Sequence, residues 1–154
     1  MPARRLTPLP ILLTGVLTLT ACGGERPDNV GMLNGTLSPC PATPNCVHTG
    51  LRHPDGTRGV YANWTIIQAE LMPEIRSVVE AMPRTTVVEE SGYYLHAEVR
   101  SRIFRFVDDV EVLIMPDREL IIRSASRVGS GDLGVNAERV EEIRRLLDEA
   151  GILR

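Results

Sequence analysis

The sequence predicts an α+β fold: a four-stranded antiparallel sheet with helices packed on one face. Two observations predict it. Apolar residues recur at helical spacing near residue 75 and again near residue 143, and four strand-like runs joined by short turns lie between them.

Each element follows from local chemistry. Residues 23–57 hold much of the Gly, Pro, Asn and Thr and show little periodicity, which reads as a tether and then an irregular arm lying on the domain. Ile75, Val78, Val79 and Met82 mark a helix, with Pro73 at its first position and Pro83 ending it. Residues 64–71 either extend that helix across a kink at Pro73 or lie outside it; the pattern does not choose. Strand-like runs at 86–90 and 93–100 flank Ser91-Gly92, a hairpin signal. Runs at 106–115 and 119–126 flank Pro116-Asp117. After Gly129, Gly131 and Gly134, Asn136 is the expected N-cap of a last helix, stapled by Val135 and Val140. Val140, Ile143, Leu147 and Ala150 then face the core, and Gly151 closes the helix.

Composition narrows the function. Of 154 residues, 43% are hydrophobic and 24% charged, so the body folds. Seventeen basic and 20 acidic residues give a net charge of -3, and losing Arg4 and Arg5 with a leader would make it -5. That sign argues against nucleic acid as a partner. Every basic residue is arginine. Without lysine there is no Schiff-base chemistry and no P-loop phosphate lysine.

Residues 1–21 have the parts of a secretory leader: Arg4 and Arg5, then a mostly apolar run too short to span a bilayer. Leu19-Thr20-Ala21-Cys22 resembles the lipobox of bacterial lipoproteins. The resemblance implies cleavage before Cys22, a diacylglycerol on its thiol and a further acyl chain such as palmitate on its amino group. Several chains on one residue anchor stably, whereas one binds only marginally. The expected location is the bacterial cell envelope, facing the periplasm. Gly23, in place of an aspartate, favours the outer membrane.

With Cys22 acylated, Cys40 and Cys46 remain as an even pair in an exported chain. Pro41, Thr43, Pro44 and Asn45 favour a bend, so a short disulfide loop is the first reading. A metal site using Cys40, Cys46, His48 and His53 is the sharper alternative, but their spacing is not that of structural zinc sites. No metal or cofactor is expected. Gly129-Ser130-Gly131-Asp132-Leu133-Gly134 fits a dinucleotide fingerprint literally, yet no room follows for the required second parallel strand.

Strand alternation separates an apolar face from a polar one. Leu95, Ala97, Val99, Val110, Val112 and Ile114 share the first; His96, Glu98, Arg100, Asp109, Glu111 and Arg123 share the second. Two readings stand. One is a solvated ladder of ion pairs worth roughly 0.2–1 kcal/mol each. The other is a ligand platform of Arg100, Asp109, Glu111 and Arg123, completed by Arg102, Arg127, Asp132, Asn136 and Arg139. Arginine forks suit an anionic small molecule carrying carboxylate or phosphate.

Several motifs together resemble the bacterial lipoprotein family catalogued as domain of unknown function 1499. They are Pro44-Asn45-Cys46-Val47, Tyr94-Leu-His-Ala-Glu98, Phe106-Val-Asp-Asp-Val-Glu111, Arg123-Ser-Ala-Ser-Arg127 and Asp132-Leu-Gly-Val-Asn136 with Arg139-Val140. The resemblance runs from about residue 40 to 153 and departs at His48-Thr49. It implies a compact exported or membrane-attached domain and carries no catalytic residues to transfer. The expected organisation is a leader at 1–21, an anchor, tether and arm at 22–57, and one domain at 58–154. The expected function is a lipid-anchored binding or scaffolding module. The runner-up is a hydrolase-like envelope enzyme, in which Ser101, Ser124 or Ser126 would need His48, His53 or His96 as base.

Overall fold

The computed structural model describes residues 23–50, 64–68 and 70–154. The expected leader, Cys22 and His53 lie outside the described residues. Nine elements follow in order: β1 (Met32–Leu33), β2 (Thr36–Leu37), β3 (Cys46–His48), α1 (Met72–Ala81), β4 (Thr85–Ser91), β5 (Tyr94–Arg100), β6 (Val107–Ile114), β7 (Leu120–Ser126) and α2 (Val135–Glu149). The sheet is five-stranded and antiparallel, in the order β3-β7-β6-β5-β4, beside a two-stranded ribbon of β1 and β2.

The fifth strand corrects the expectation of four. Cys46, Val47 and His48 pair with Ala125, Ser124 and Arg123, inside the segment read as irregular. Three residues next to prolines are too few to show a period of two. The Thr49 amide donates to the Ile122 carbonyl (2.9 Å), and the Thr49 hydroxyl accepts from the Ile122 amide (2.8 Å), extending the pairing by one residue. Asn34 and Gly35, both left-handed, turn the small ribbon, as an Asn-Gly pair favours.

Residues 64–68 are not helical. Thr65 bridges to Glu119 and Ile66 to Leu153. Pro73 lies in the first turn of α1, and Met82 caps its end. The β4–β5 turn is Gly92-Tyr93, one residue later than expected, because Ser91 pairs with Tyr94. Gly92 takes the left-handed conformation that this turn requires.

The expected cap of α2 is also corrected. Asn136 sits inside the first turn, and Asp132 takes the capping role. Its carboxylate accepts from the amides of Gly134 (3.0 Å) and Asn136 (2.8 Å). Val135 is exposed while Val140 is buried, so they form no staple. At the other end Gly151 is left-handed, and the Ile152 amide returns to the Leu147 carbonyl (2.9 Å), a Schellman closure. Ala150 is exposed rather than in the core.

Both helices pack on one face. Met72, Ile75 and Val79 of α1 and Val140, Ile143 and Leu147 of α2 cover Leu95, Ala97, Val110, Val112, Leu120 and Ile122. Burying each of these side chains except Ala97 contributes about 1.5–3 kcal/mol. The opposite face is covered too. Leu37 of β2 packs on Tyr94, Leu113 and Ile121, so the arm roofs the polar side of the sheet. Among the described residues no helix is long and apolar enough to cross a membrane.

Candidate functional site

The polar face is buried beneath the arm, which corrects the reading of a solvated ladder. His96 and Glu111 are 0% exposed, Asp109 1% and Arg123 2%. A buried carboxylate is costly unless donors surround it. They do. Glu98 and Asp109 stand opposite each other on β5 and β6, an arrangement that alone would repel. Arg127, just past β7, reaches between them. Its Nε and Nη2 donate to Asp109 (2.9 and 2.7 Å), and Nη2 also donates to Glu98 (2.6 Å). Arg100 donates to the second oxygen of Glu98 (2.8 Å), and His96 Nε2 lies 2.8 Å from Asp109 Oδ1.

Glu111 forms the neighbouring centre. One oxygen accepts from Arg123 Nη1 (2.7 Å), the other from the Tyr94 hydroxyl (3.0 Å) and the Gly31 amide (2.6 Å). The Gly31 bond ties the arm to the sheet. Arg127 adds a weaker tie, Nη1 to the Gly24 carbonyl at 3.4 Å.

These surroundings set the charge states. Burial pushes the Asp109 carboxyl up, but bonds from His96 and Arg127 hold it below its ordinary range. The Arg127 guanidinium is raised, first by its bond to Asp109. Burial, and then the Glu111 charge, push the Tyr94 hydroxyl up. On β3, burial holds the His48 imidazole down at about 4, and the Arg123 charge adds to the effect. His48 Nδ1 accepts from the Gly50 amide (3.1 Å).

The expected site residues therefore divide between two sides. Arg100, Asp109, Glu111, Arg123 and Arg127 meet on the arm side. Asp132, Asn136 and Arg139 meet on the helix side with Asp108 and Ser124. There Asn136, fully buried, accepts from the Ser124 hydroxyl (2.6 Å) and donates to Asp132 (2.7 Å), Ser126 (3.0 Å) and the Asn45 carbonyl (3.1 Å). Arg139 joins Ser124 (2.9 Å) to Asp108 (2.7 Å). The glycine loop serves this junction, since Asn45 Nδ2 donates to the Gly129 carbonyl (2.8 Å). Arg102 joins neither group; it is exposed on the 101–106 loop.

Cys40 and Cys46 form a disulfide, with Cα atoms 5.6 Å apart. Both thiols are thereby withdrawn from the metal reading, and no group of three or more metal-ligating side chains occurs among the described residues. The disulfide loop walls a cavity of about 230 Å³ between arm and sheet. Asn45, Asp109, Arg123, Ser126, Arg127 and Gly129 are among the residues that line it. Two of its lining residues each carry a buried atom without a hydrogen-bond partner, the donor Arg123 Nε and the acceptor Asn45 Oδ1. Leaving such a group unpaired costs about 1–3 kcal/mol. Sequence reasoning missed Asn45 as a site residue. Its position directly before Cys46, inside the resembling motif Pro44-Asn45-Cys46-Val47, was the available signal.

A family model described as "Protein of unknown function (DUF1499)" matches residues 36–147, and the chain belongs to that family. No curated protein and no solved structure matches the chain.

Proposed function

We propose that this DUF1499 member is a lipid-anchored protein of the bacterial cell envelope whose domain binds a small anion beside Arg123. One observation carries the binding reading. A guanidinium 98% removed from solvent, its exposure being 2%, lines a polar cavity with Nε unpaired. With a small shift of the lining, a carboxylate or phosphate oxygen would accept from that buried Nε, and a protonated ligand oxygen would donate to Asn45 Oδ1. Asp109 on the same floor does not repel it fully, because Arg127 and His96 already engage both its oxygens. The cavity lies below the roughly 300–1,000 Å³ of drug-sized sites, which limits the ligand to a few heavy atoms.

The lipid anchor rests on Leu19-Thr20-Ala21-Cys22 after an apolar run. The hydrolase reading finds less support. Ser124 is bonded to Asn136 and Arg139, Ser126 accepts from Asn136, and Ser101 accepts from the Phe106 amide. His96 is held by Asp109 instead. Calorimetric titration of the protein with inorganic phosphate, acetate and succinate tests the proposal. Saturable 1:1 heat with at least one of them is expected; no heat with any of them at millimolar concentration contradicts it.

A further inference from the structure

We propose that one end of the sheet docks on an anionic phospholipid surface, a proposal whose orientation rests on the lipid-anchor reading above. Three observations converge there. The 101–106 loop leaves the sheet where Arg100 pairs with Val107, and the 128–134 loop leaves it just after Arg127, whose amide bonds the Val107 carbonyl (3.1 Å). Both loops therefore emerge at the same end.

The second observation is what they carry. Ile103 is 78% exposed, Phe104 67% and Leu133 102%, and the rings of Phe104 and Phe106 stack with centroids 5.5 Å apart. Aromatic and branched apolar side chains held out in water by a tight loop gain from insertion at a lipid interface. Exposed Arg102 and Arg105 bracket Ile103 and Phe104, placing cationic side chains at the level of phosphate headgroups.

The third observation is where the chain begins its described path. A side-chain carbon built at Gly24 would lie 3.3 Å from Arg127 Cβ and 3.4 Å from Val128 Cγ1, so Gly24 rests against this same end. Cys22 precedes Gly24 by two residues, so chain length alone keeps an anchor on it within about 7 Å of Gly24. Anchor and loops face one bilayer together.

Amide hydrogen exchange on the full protein, purified from the membranes of an expressing bacterium, tests this. The protein is placed with vesicles of phosphatidylglycerol or of phosphatidylcholine. Amides at 102–106 should exchange at least about fivefold more slowly on phosphatidylglycerol, in the manner of a protected local opening. The exposed double variant Ile103→Ser/Phe104→Ser should melt as wild type does and lose the difference. Mass spectrometry of the N-terminal peptide reports acylation separately. Equal exchange on both vesicles overturns docking, with Cys22 acylated or not. An unacylated Cys22 with the exchange difference intact overturns the anchor and keeps the docking face. Protection that needs no vesicles and grows with protein concentration assigns the face to a second copy and overturns the proposal.

Discussion

Arg127 grips Asp109 with two parallel bonds, and the side chains are only 5% and 2% exposed. Because the same guanidinium also holds Glu98, one arginine keeps two facing carboxylates from repelling each other beneath the arm. The charged face is first of all an internal joint.

Arg127→Ala should therefore cost about 3–5 kcal/mol, the penalty of stranding a buried charge. Urea unfolding measures it. A loss under about 1 kcal/mol would be that of an exposed pair and would contradict the buried joint.

A second prediction concerns pH. The His48 imidazole is held at about 4 in the folded protein against 6.5 in the open chain, so between those values the unfolded state binds more protons. Stability contributed by neutral His48 is full above pH 6.5 and falls as pH drops towards 4. The loss is on the order of 3 kcal/mol for a shift of this size. Asp109, held low, loses its contribution only at still lower pH, as it protonates. Melting of wild type and His48→Asn from pH 4 to 7 should show a distinctly steeper fall in the first protein; equal slopes would contradict the reading.

Reduction of the Cys40–Cys46 disulfide should destabilise by about 2 kcal/mol, the loop-closure value for a ring of this length. Denaturing alkylation without reductant, read by mass spectrometry, should find neither thiol modified. Two modified thiols would mean that the bond is absent in the cell.

How much of this was legible depended on period. The strands β5, β6 and β7 are long enough for alternation to show, so Glu111 and Arg123 fell on one face and Val112 and Ile122 on the other. What alternation cannot show is what covers a face. Leu37 and Gly31 lie more than 50 residues before β5 in sequence, and nothing local marks them as its roof. β3 is too short to carry a period at all. Asn136 was visible as a polar residue at a helix start, but its partners Asn45 and Ser124 come from separate strands or their edges, so only folding brings them together. The capping role fell to Asp132 because an extra left-handed residue, Leu133, tightens the loop before Gly134.

The anchor is tested by the mass of the N-terminal peptide from membrane-extracted protein. It should begin at Cys22 and carry a diacylglyceryl group and an amide-linked acyl chain. A peptide beginning elsewhere, or an unmodified Cys22, removes the anchor.

Anion binding beside Arg123 depends on its unpaired Nε, and Arg123→Lys removes that donor. Lysine keeps a positive charge for Glu111 but has no second donor to offer beside the cavity. Both proteins are melted with and without inorganic phosphate, acetate and succinate. A ligand at about a hundredfold over its Kd adds roughly 2.7 kcal/mol, a rise of several degrees in a domain of this size. The rise is expected in wild type with at least one anion and should be lost in Arg123→Lys. Equal rises in the two proteins, or none in wild type, would contradict it.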